Sequence, residues 1–424
     1  MGLISTIWLI LPQWKPLIET PASLCQSDWQ CLRYSQQTNS FELSLEVQDV
    51  KKDGQGRRNT SADRWILGPL SKRDNSTRKP YTFADMTEIA DEDWLQPIPR
   101  SAFLLYPQAL DIKQVVDDIR KNRPIPEVVR LLIVSSTVCV PDKAVNKPLD
   151  AIVVIKSAVY NFEDRKPVRS AYAKEAESEP AFRMATVFSL GLPRSSGGRY
   201  FKRDGINISL PGRAGASLEK MQSRGLKVLR QLAEEAQRHG DLVLGDYEDT
   251  YYKLSLTLFH TFQWASRFCR GHVTHQQQRP PVFILLDDDY AFNASRLKAE
   301  LDALSDAQLR RLVLGSPMNG SKVYRPLVSP RMEKWVISKR QVPWPYFAPY
   351  GSGAFLVLGA DVLQEIALAM YFNVQFPVDD AWLGMVMTKL NLYVQQHPHM
   401  HINRPKADGK ELVLFAPFDY LFGG

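Results

Sequence analysis

From about residue 150 onward the chain alternates short apolar runs with longer amphipathic ones. Residues 151–158 (AIVVIKSA) form an unbroken apolar run of strand length, the pattern of a strand buried on both faces. Residues 183–190 (RMATVFSL), 241–244, 282–286 (VFILL) and 354–358 (AFLVL) read as further strands. Leu218, Met221, Gly225, Val228, Leu229, Leu232 and Ala236 recur at helical spacing and predict one amphipathic helix. Residues 254–268 predict a more apolar, aromatic helix, and another begins at Asp361. This alternation predicts an α/β domain with a largely parallel sheet.

Before residue 150 the pattern is poorer. Residues 1–14 carry no charge, and Leu3 to Leu11 is mostly apolar. The run is shorter than the roughly 20 residues of a membrane-spanning helix. It contains Pro12, and no basic segment precedes it. It reads as a signal or signal-anchor, with an ordinary buried segment as the alternative. Residues 49–80, rich in Gly, Ser, Asn, Lys and Arg, read as a stem. A helix is expected from Asp111 to Lys121, and Leu131–Val134 is a short apolar run. The expected organisation is an anchor and stem over 1–80, an extension over 81–148 and a catalytic domain over 149–424.

Composition changes this picture little. The 424 residues are 44% hydrophobic and 23% charged, which excludes a wholly disordered or collagen-like chain. The net charge of +7 reads as spread along the chain, and no nucleic-acid partner is expected. The four cysteines, Cys25, Cys31, Cys139 and Cys269, lack zinc-site spacing. They fit two disulfides in an oxidising compartment or buried thiols in the cytosol. Asn59, Asn75, Asn207, Asn293 and Asn319 open five N-glycosylation sequons among only twelve asparagines. Roughly one or two would arise by chance, so the excess favours the secretory route.

The chemistry is concentrated in carboxylates. Asp287, Asp288 and Asp289 follow VFILL directly. Ligands of open α/β sheets bind outside the carboxyl ends of strands. Asp287 and Asp289 can point to one side and share a hard cation, Mn²⁺ or Mg²⁺, whose remaining ligands would be phosphates. The alternative is a solvated acidic turn. Asp379-Asp380 precedes another apolar stretch. One of the pair can act as a general base, or either can cap a helix. His397, His399 and His401 alternate, and on an extended segment would share a face able to complete a metal shell. A surface loop is the alternative.

In order along the chain, these segments resemble the β1,3-galactosyltransferase and β1,3-N-acetylglucosaminyltransferase family (glycosyltransferase family 31). Residues 155–172 (IKSAVYNFEDRKPVRSAY) resemble its opening strand and two-arginine segment, with Arg165 and Arg169 on the arginines. Residues 187–193, 240–258 and 283–293 (FILLDDDYAFN) are similar to successive family motifs, as are Trp264 and Cys269. Residues 334–358 and 378–384 (VDDAWLG) complete the series, which looks closer to the brainiac-like branch. The chain departs from the pattern at Ala171-Tyr172, Leu285, Thr257 and Gly351.

The resemblance implies a GT-A fold, α/β with a Rossmann-like, mostly parallel central sheet flanked by helices. It implies inverting transfer of galactose or N-acetylglucosamine from a UDP-sugar to the 3-hydroxyl of an acceptor glycan on glycoprotein or glycolipid. Asp287 and Asp289 would hold Mn²⁺ or Mg²⁺. Asp287, Asp288, Arg165 and Arg169 would contact the donor, or the arginines would brace a loop through ion pairs. Asp380 would be the base, and Trp335, Tyr350 and Trp382 would line the acceptor face or pack in the core. The resemblance also implies a single-pass type II Golgi membrane protein with a lumenal catalytic domain. An inactive relative that binds sugar or nucleotide is the alternative, motivated by Ala171, Leu285 and Thr257. Cys139 and Cys269 are the pair to test as a structural disulfide.

Overall fold

A computed structural model describes residues 24–27, 30–35, 40–44, 66–67, 69–73, 80–111, 114–115, 118, 121, 129–140, 148–203, 206–269, 279–326, 334–406 and 413–423. The apolar run at 1–14, Asn59, Asn75 and most of the helix expected at 111–121 lie outside these residues. No described helix is long and apolar enough to cross a membrane. The chain divides into two compact units. In the smaller, strands Leu24–Ser27, Gln30–Ser35 and Ser40–Ser44 form an antiparallel sheet whose register sets Cys25 opposite Cys31.

The larger unit is built on an eight-stranded sheet. Its strands are β1 (Leu131–Ile133), β2 (Ala151–Lys156), β3 (Met184–Leu192), β4 (Leu242–Glu248), β5 (Val282–Asp287), β6 (Val313–Met318), β7 (Tyr350–Leu358) and β8 (Gln395–Gln396). The spatial order is β8-β6-β7-β5-β2-β3-β4-β1. The four central strands β5, β2, β3 and β4 are mutually parallel, and β7 and β1 flank them antiparallel. This is the mixed, mostly parallel α/β architecture expected. Every residue of β2 is buried, as the apolar run AIVVIK requires of a central strand.

Alternate strand residues feed two cores. Ile152, Val154, Phe283 and Leu285 pack on one face, under helices α4 (Leu254–Phe268), α5 (Ala360–Met370) and α6 (Asp379–Lys389). Val153, Ile155, Ile284 and Leu286 pack on the other, under α1 (Phe162–Ser178) and α3 (Gly225–His239). The single helix expected over 218–236 is two, α2 (Gly212–Met221) and α3, joined by a 3-10 turn before Gly225. A hairpin, Tyr200–Arg203 with Ile206–Ser209, precedes them and had no clear alternation in the sequence.

The boundary expected near residue 149 does not separate compact bodies. The described residues at 66–67, 69–73, 80–111 and 129–140 belong to the same unit as the sheet. Met86, Trp94, Phe103 and Tyr106 are buried in the core of the α4–α6 face, and Phe103 stacks edge-on against Trp344 at 4.9 Å. Strand β1 pairs with β4. Just beyond it, the Ser135 hydroxyl donates to the Gly240 carbonyl at 2.7 Å, where α3 ends. Gly240 has φ +68°, and a Cβ there would lie 2.4 Å from Ser136 Oγ, so glycine is required twice over. Cys139 is disulfide-bonded to Cys269, the residue closing α4.

Candidate active site

Strand β5 places Asp287 at its carboxyl end, in register with Lys156 at the end of β2. Paired residues share a sheet face, so the two side chains meet. The ammonium lies 3.0 Å from Asp287 Oδ1 and 3.1 Å from Asp379 Oδ2. Burial opposes the charge on Lys156, but the two carboxylates outweigh it and raise its pKa. Lys156 therefore ties the first aspartate of the triplet to the second acidic pair, whose Asp379 lies 223 residues beyond the lysine in sequence.

The acidic triplet fans out. Asp288 accepts from the Ser157 hydroxyl at 2.7 Å and from the Asn161 amide at 3.0 Å. Asp287 keeps 40% of its side chain accessible. Desolvation, opposed by Lys156 and reinforced by Asp379, pushes its carboxyl up to about 6. Asp289 lies exposed in the turn after β5, and its carboxyl is raised by desolvation and by neighbouring Asp288. Carboxyls raised in this way mark negative charge short of compensation, which suits a hard cation. Among the described residues no three His, Cys, Asp or Glu side chains converge at metal-ligand spacing. Protein ligands here would come from one or two carboxylates, as for a cation shared with a bound diphosphate.

Helix α6 supplies the second pair. The expectation that an aspartate caps it is corrected: the cap residue is Val378, and Asp379 and Asp380 occupy the first turn. Negative charge there is favoured by the unpaired N–H groups of the helix start. Asp380 accepts from the Ala381 N–H at 2.8 Å and the Gly353 N–H at 3.3 Å. Burial and Asp379 push its carboxyl up to about 7, against the pull of Lys156 and those two donors. One turn on, a Cβ on Gly384 would sit 2.2 Å from Tyr350 Cβ and 2.7 Å from the Pro349 carbonyl. Only glycine lets α6 lie this close to β7 and hold Asp380 over Gly353.

Lys156, Asp379 and Asp380 line a small cleft with Leu258, Leu285 and Leu383. A cleft of about 350 Å³ lined by Asp150, Arg279 and Lys298 lies at the amino end of β2, away from the carboxyl ends of the strands. Leu285, standing where the resembled family carries lysine, is 4% exposed and gives the cleft beside Asp380 an apolar wall.

The remaining expected residues separate. Arg165 is fully buried: its Nε and Nη2 donate to both oxygens of Glu235 at 2.9 and 2.6 Å, and its Nη1 donates to the Ala158 carbonyl. Arg169 donates to both oxygens of Asp241 at 2.6 and 2.9 Å, and its ion pair to Glu235 is 2.7 Å. Neither fork is open to a donor; both brace α1 against α3 and the start of β4. Trp382, expected on the acceptor side, has zero exposure and donates its indole N–H to the Val374 carbonyl, so it belongs to the core. Tyr350 is 8% exposed and close enough to Asp380 for that charge to raise its pKa, after burial.

Trp335 is half-buried at the rim. It hydrogen-bonds Tyr251, whose hydroxyl pKa is raised by burial and then by Asp379, Asp380 and Asp287. The histidines do not alternate on a strand, because Pro398 and His399 form a turn. His397 faces Glu300 at 3.3 Å, and no histidine belongs to a metal-like cluster among the described residues. Lys156, Ser157, Asn161 and Tyr251 were missed as site residues. The one available signal was a lysine ending an otherwise apolar strand.

Comparison with known proteins follows the same path. Residues 220–398 match the galactosyltransferase family model. The human UDP-GlcNAc:betaGal beta-1,3-N-acetylglucosaminyltransferase 9 is 28% identical over 295 residues, 68% of this chain and 65% of that one. The human lactosylceramide 1,3-N-acetyl-beta-D-glucosaminyltransferase is 24% identical over 249 residues, 58% of this chain and 56% of that one. Human beta-1,3-galactosyltransferase 5 is 25% identical over 168 residues, 39% of this chain and 49% of that one. The chain thus spans between 49% and 65% of the length of these relatives. Among solved structures, the WbbM bifunctional glycosyltransferase aligns with a TM-score of 0.28 at 11% identity, over 66% of this chain and 44% of that one, too slight a likeness to argue from. The motif order and these sequence matches make the chain similar to the β1,3-galactosyltransferase and β1,3-N-acetylglucosaminyltransferase family, with the family model matched over residues 220–398.

Proposed function

We propose that this chain is an inverting hexosyltransferase that moves galactose or N-acetylglucosamine from a UDP-sugar to the 3-hydroxyl of an acceptor glycan. The observation that carries the reading is the half-buried Asp380 carboxyl, raised to about 7 and standing beside buried Asp379, which Lys156 ties to Asp287 at the end of β5. A base poised near neutral pH is what a hydroxyl nucleophile needs. Asp287 and Asp289 would hold the divalent cation, Mn²⁺ or Mg²⁺, whose charge neutralises the leaving diphosphate. Asp288, held by Ser157 and Asn161, would contact the nucleotide. Asp380 takes the acceptor proton as the oxygen bonds to the anomeric carbon and the bond to the diphosphate breaks, releasing UDP. Trp335 offers the acceptor an aromatic face at the rim. Arg165 and Arg169 hold the frame.

The reading extends to a lumenal Golgi domain behind a membrane anchor. Asn207 and Asn319 are exposed and suit glycosylation, whereas the Asn293 side chain caps a helix by accepting from the Arg296 N–H at 2.9 Å. An endoglycosidase mobility shift checks this, and no shift would count against the secretory route.

The direct test is a panel of UDP-sugars with a soluble galactoside acceptor, with and without Mn²⁺. Turnover is expected with one donor and should vanish on chelation. Asp380→Asn should lower kcat by about 10²–10⁴ while leaving Mn²⁺-dependent UDP binding unchanged. Loss of both would mark Asp380 as structural. Because the base acts deprotonated, activity should fall on acidification, with the acid limb of kcat/KM well above 4 and toward 7. No turnover with any donor, alongside intact UDP binding, would leave a sugar- or nucleotide-binding relative.

A further inference from the structure

Lys334 stands beside Trp335 at the rim of the site, without a counter-ion. Among the described residues, the other partly or fully buried lysines, Lys156, Lys253, Lys298, Lys339 and Lys389, each reach a carboxylate or a backbone carbonyl. Lys334 is half-buried and reaches neither. Its ammonium lies over the Trp335 ring at 4.2 Å and over the Tyr251 ring at 5.2 Å. Ring faces attract a cation but carry no charge to neutralise it. Burial pulls the Lys334 pKa down, as expected of an ammonium that has lost water without gaining an anion.

The position of Lys334 argues against the donor diphosphate as its anion. Asp379, Asp380 and Asp287 all raise the pKa of the Tyr251 hydroxyl, whereas none of these carboxylates shifts Lys334. Lys334 therefore sits on the outer side of Tyr251, away from the aspartates that would hold the cation and the donor. Trp335, hydrogen-bonded to Tyr251, shares that outer side, the one given above to the acceptor. A sugar resting against Trp335 brings its substituents within reach of the ammonium.

The surroundings of this rim are basic. The excess of Lys and Arg, expected to be spread along the chain, is concentrated in residues 194–230, which hold nine of them against Asp204 and Glu219. That net +7 equals the charge of the whole protein. The stretch includes the hairpin Tyr200–Arg203 with Ile206–Ser209, and Arg203 reaches the rim by donating to the Val336 carbonyl at 3.1 Å. Phe201 and Arg203 lie against Tyr252 at 4.7 and 4.6 Å, so this face of the hairpin looks inward. Side chains alternate along a strand, which turns Lys202 and its cross-strand partner Asn207 the other way. A glycan on Asn207 would leave the rim open. A positive field of this kind raises the local concentration of acidic ligands. We propose that the acceptor is an acidic glycan, and that Lys334 binds the sulfate ester or carboxylate carried by the sugar resting against Trp335. This rests on the transferase reading and names the acceptor class that the reading left open.

The test titrates the full chain, with UDP and Mn²⁺ present, against one galactoside in neutral, sulfated and sialylated form. Ligand-observed NMR reads binding without needing turnover, and initial rates with the active donor accompany it. At least one acidic form should bind about tenfold tighter than the neutral one, and the difference should shrink with salt. The sulfated and sialylated arms tell which group is taken. Lys334→Met should bring the acidic-to-neutral ratio down to about 1, whereas Lys334→Arg should keep the preference. Thermal melting verifies that both variants remain folded. In the rates, Lys334→Met should raise KM for the acidic acceptor rather than for the UDP-sugar. Equal binding of all forms by the wild type overturns the inference, as does a preference for an acidic form that Lys334→Met leaves intact. A rise in the donor KM alone also overturns it and assigns Lys334 to the diphosphate. Absence of turnover with every donor counts against the transferase reading, while the binding titration still decides this inference by itself.

Discussion

Arg165 shows how a single side chain can serve the frame rather than the substrate. It lies fully buried with Glu235 filling its fork, and Arg169 shares the same carboxylate. Burial opposes the charge on Glu235, but the two guanidiniums outweigh it and hold its carboxyl below the usual range. Removing Arg165 leaves the buried Glu235 carboxylate with Arg169 as its one remaining guanidinium, so Arg165→Met should destabilise by about 3 kcal/mol. Adding Glu235→Leu should recover most of that loss, measured by urea unfolding. The sign with pH follows from the lowered carboxyl. The contribution is complete above about 4.3, the unfolded value, and is lost as pH falls through the folded one. Melts between pH 7 and pH 3 should show this acid-sensitive component in the wild type and not in the double variant. The sequence made Arg165 and Arg169 visible as a pair, but not their partners. Glu235 sits on a helix 70 residues away and reads there as one of several exposed-face acids. Lys156 was hidden for the same reason, since its two carboxylates are supplied by β5 and by α6, 223 residues on.

At the scale of elements, legibility tracked burial. The AIVVIK and VFILL runs announced β2 and β5 because a strand covered on both faces has no polar alternation to disguise it. The helix Leu254–Phe268 was expected with the boundaries it has, since most of its residues face a core. The break between α2 and α3 was not legible. A 3-10 turn at Gln222–Arg224 leaves the apolar spacing nearly in phase across the junction. Short edge elements such as β8, two exposed glutamines, carry no pattern at all. Helix α6 makes the clearest demand on sequence, through the approach of Gly384 to Tyr350. Gly384→Ala should cost about 1–3 kcal/mol by overpacking. It should also lower kcat much more than it raises KM, because lifting α6 moves Asp380 away from the Gly353 N–H on β7. Circular dichroism melts and steady-state kinetics on one preparation check both effects. Unchanged kinetics in a destabilised variant would detach Asp380 from the chemistry.

At the scale of the molecule, the described residues at 69–73, 80–111 and 129–140 are part of the larger unit's construction. The Cys139–Cys269 bond closes a loop of 130 residues, and its Cα atoms lie 4.7 Å apart. A crosslink over so long a loop restricts the unfolded chain by about 5 kcal/mol on the chain-entropy account. Cys139→Ser with Cys269→Ser should therefore lower the melting temperature markedly, as should reduction of the wild type, read by calorimetry. Arg325 adds a second tie, donating to Asp91 at 2.9 Å and to the carbonyls of Ile337, Val342, Pro343 and Trp344. The sequence offered the two cysteines as a candidate pair but not the reason for them, which is the strand that Cys139 follows.

That strand, β1, is one rim of the sheet and has three residues; the opposite rim, β8, has two. Rims this short present almost no free backbone to a neighbouring molecule. Behind β1 stands β4, seven residues long and opening with Leu242, Val243 and Leu244. If β1 detaches, β4 becomes a long apolar edge, the kind of template on which chains add to one another and precipitate. The disulfide then protects solubility as well as stability. In mild reductant below the melting temperature, the protein should grow turbid and bind amyloid dyes, while the oxidised form stays clear at the same concentration.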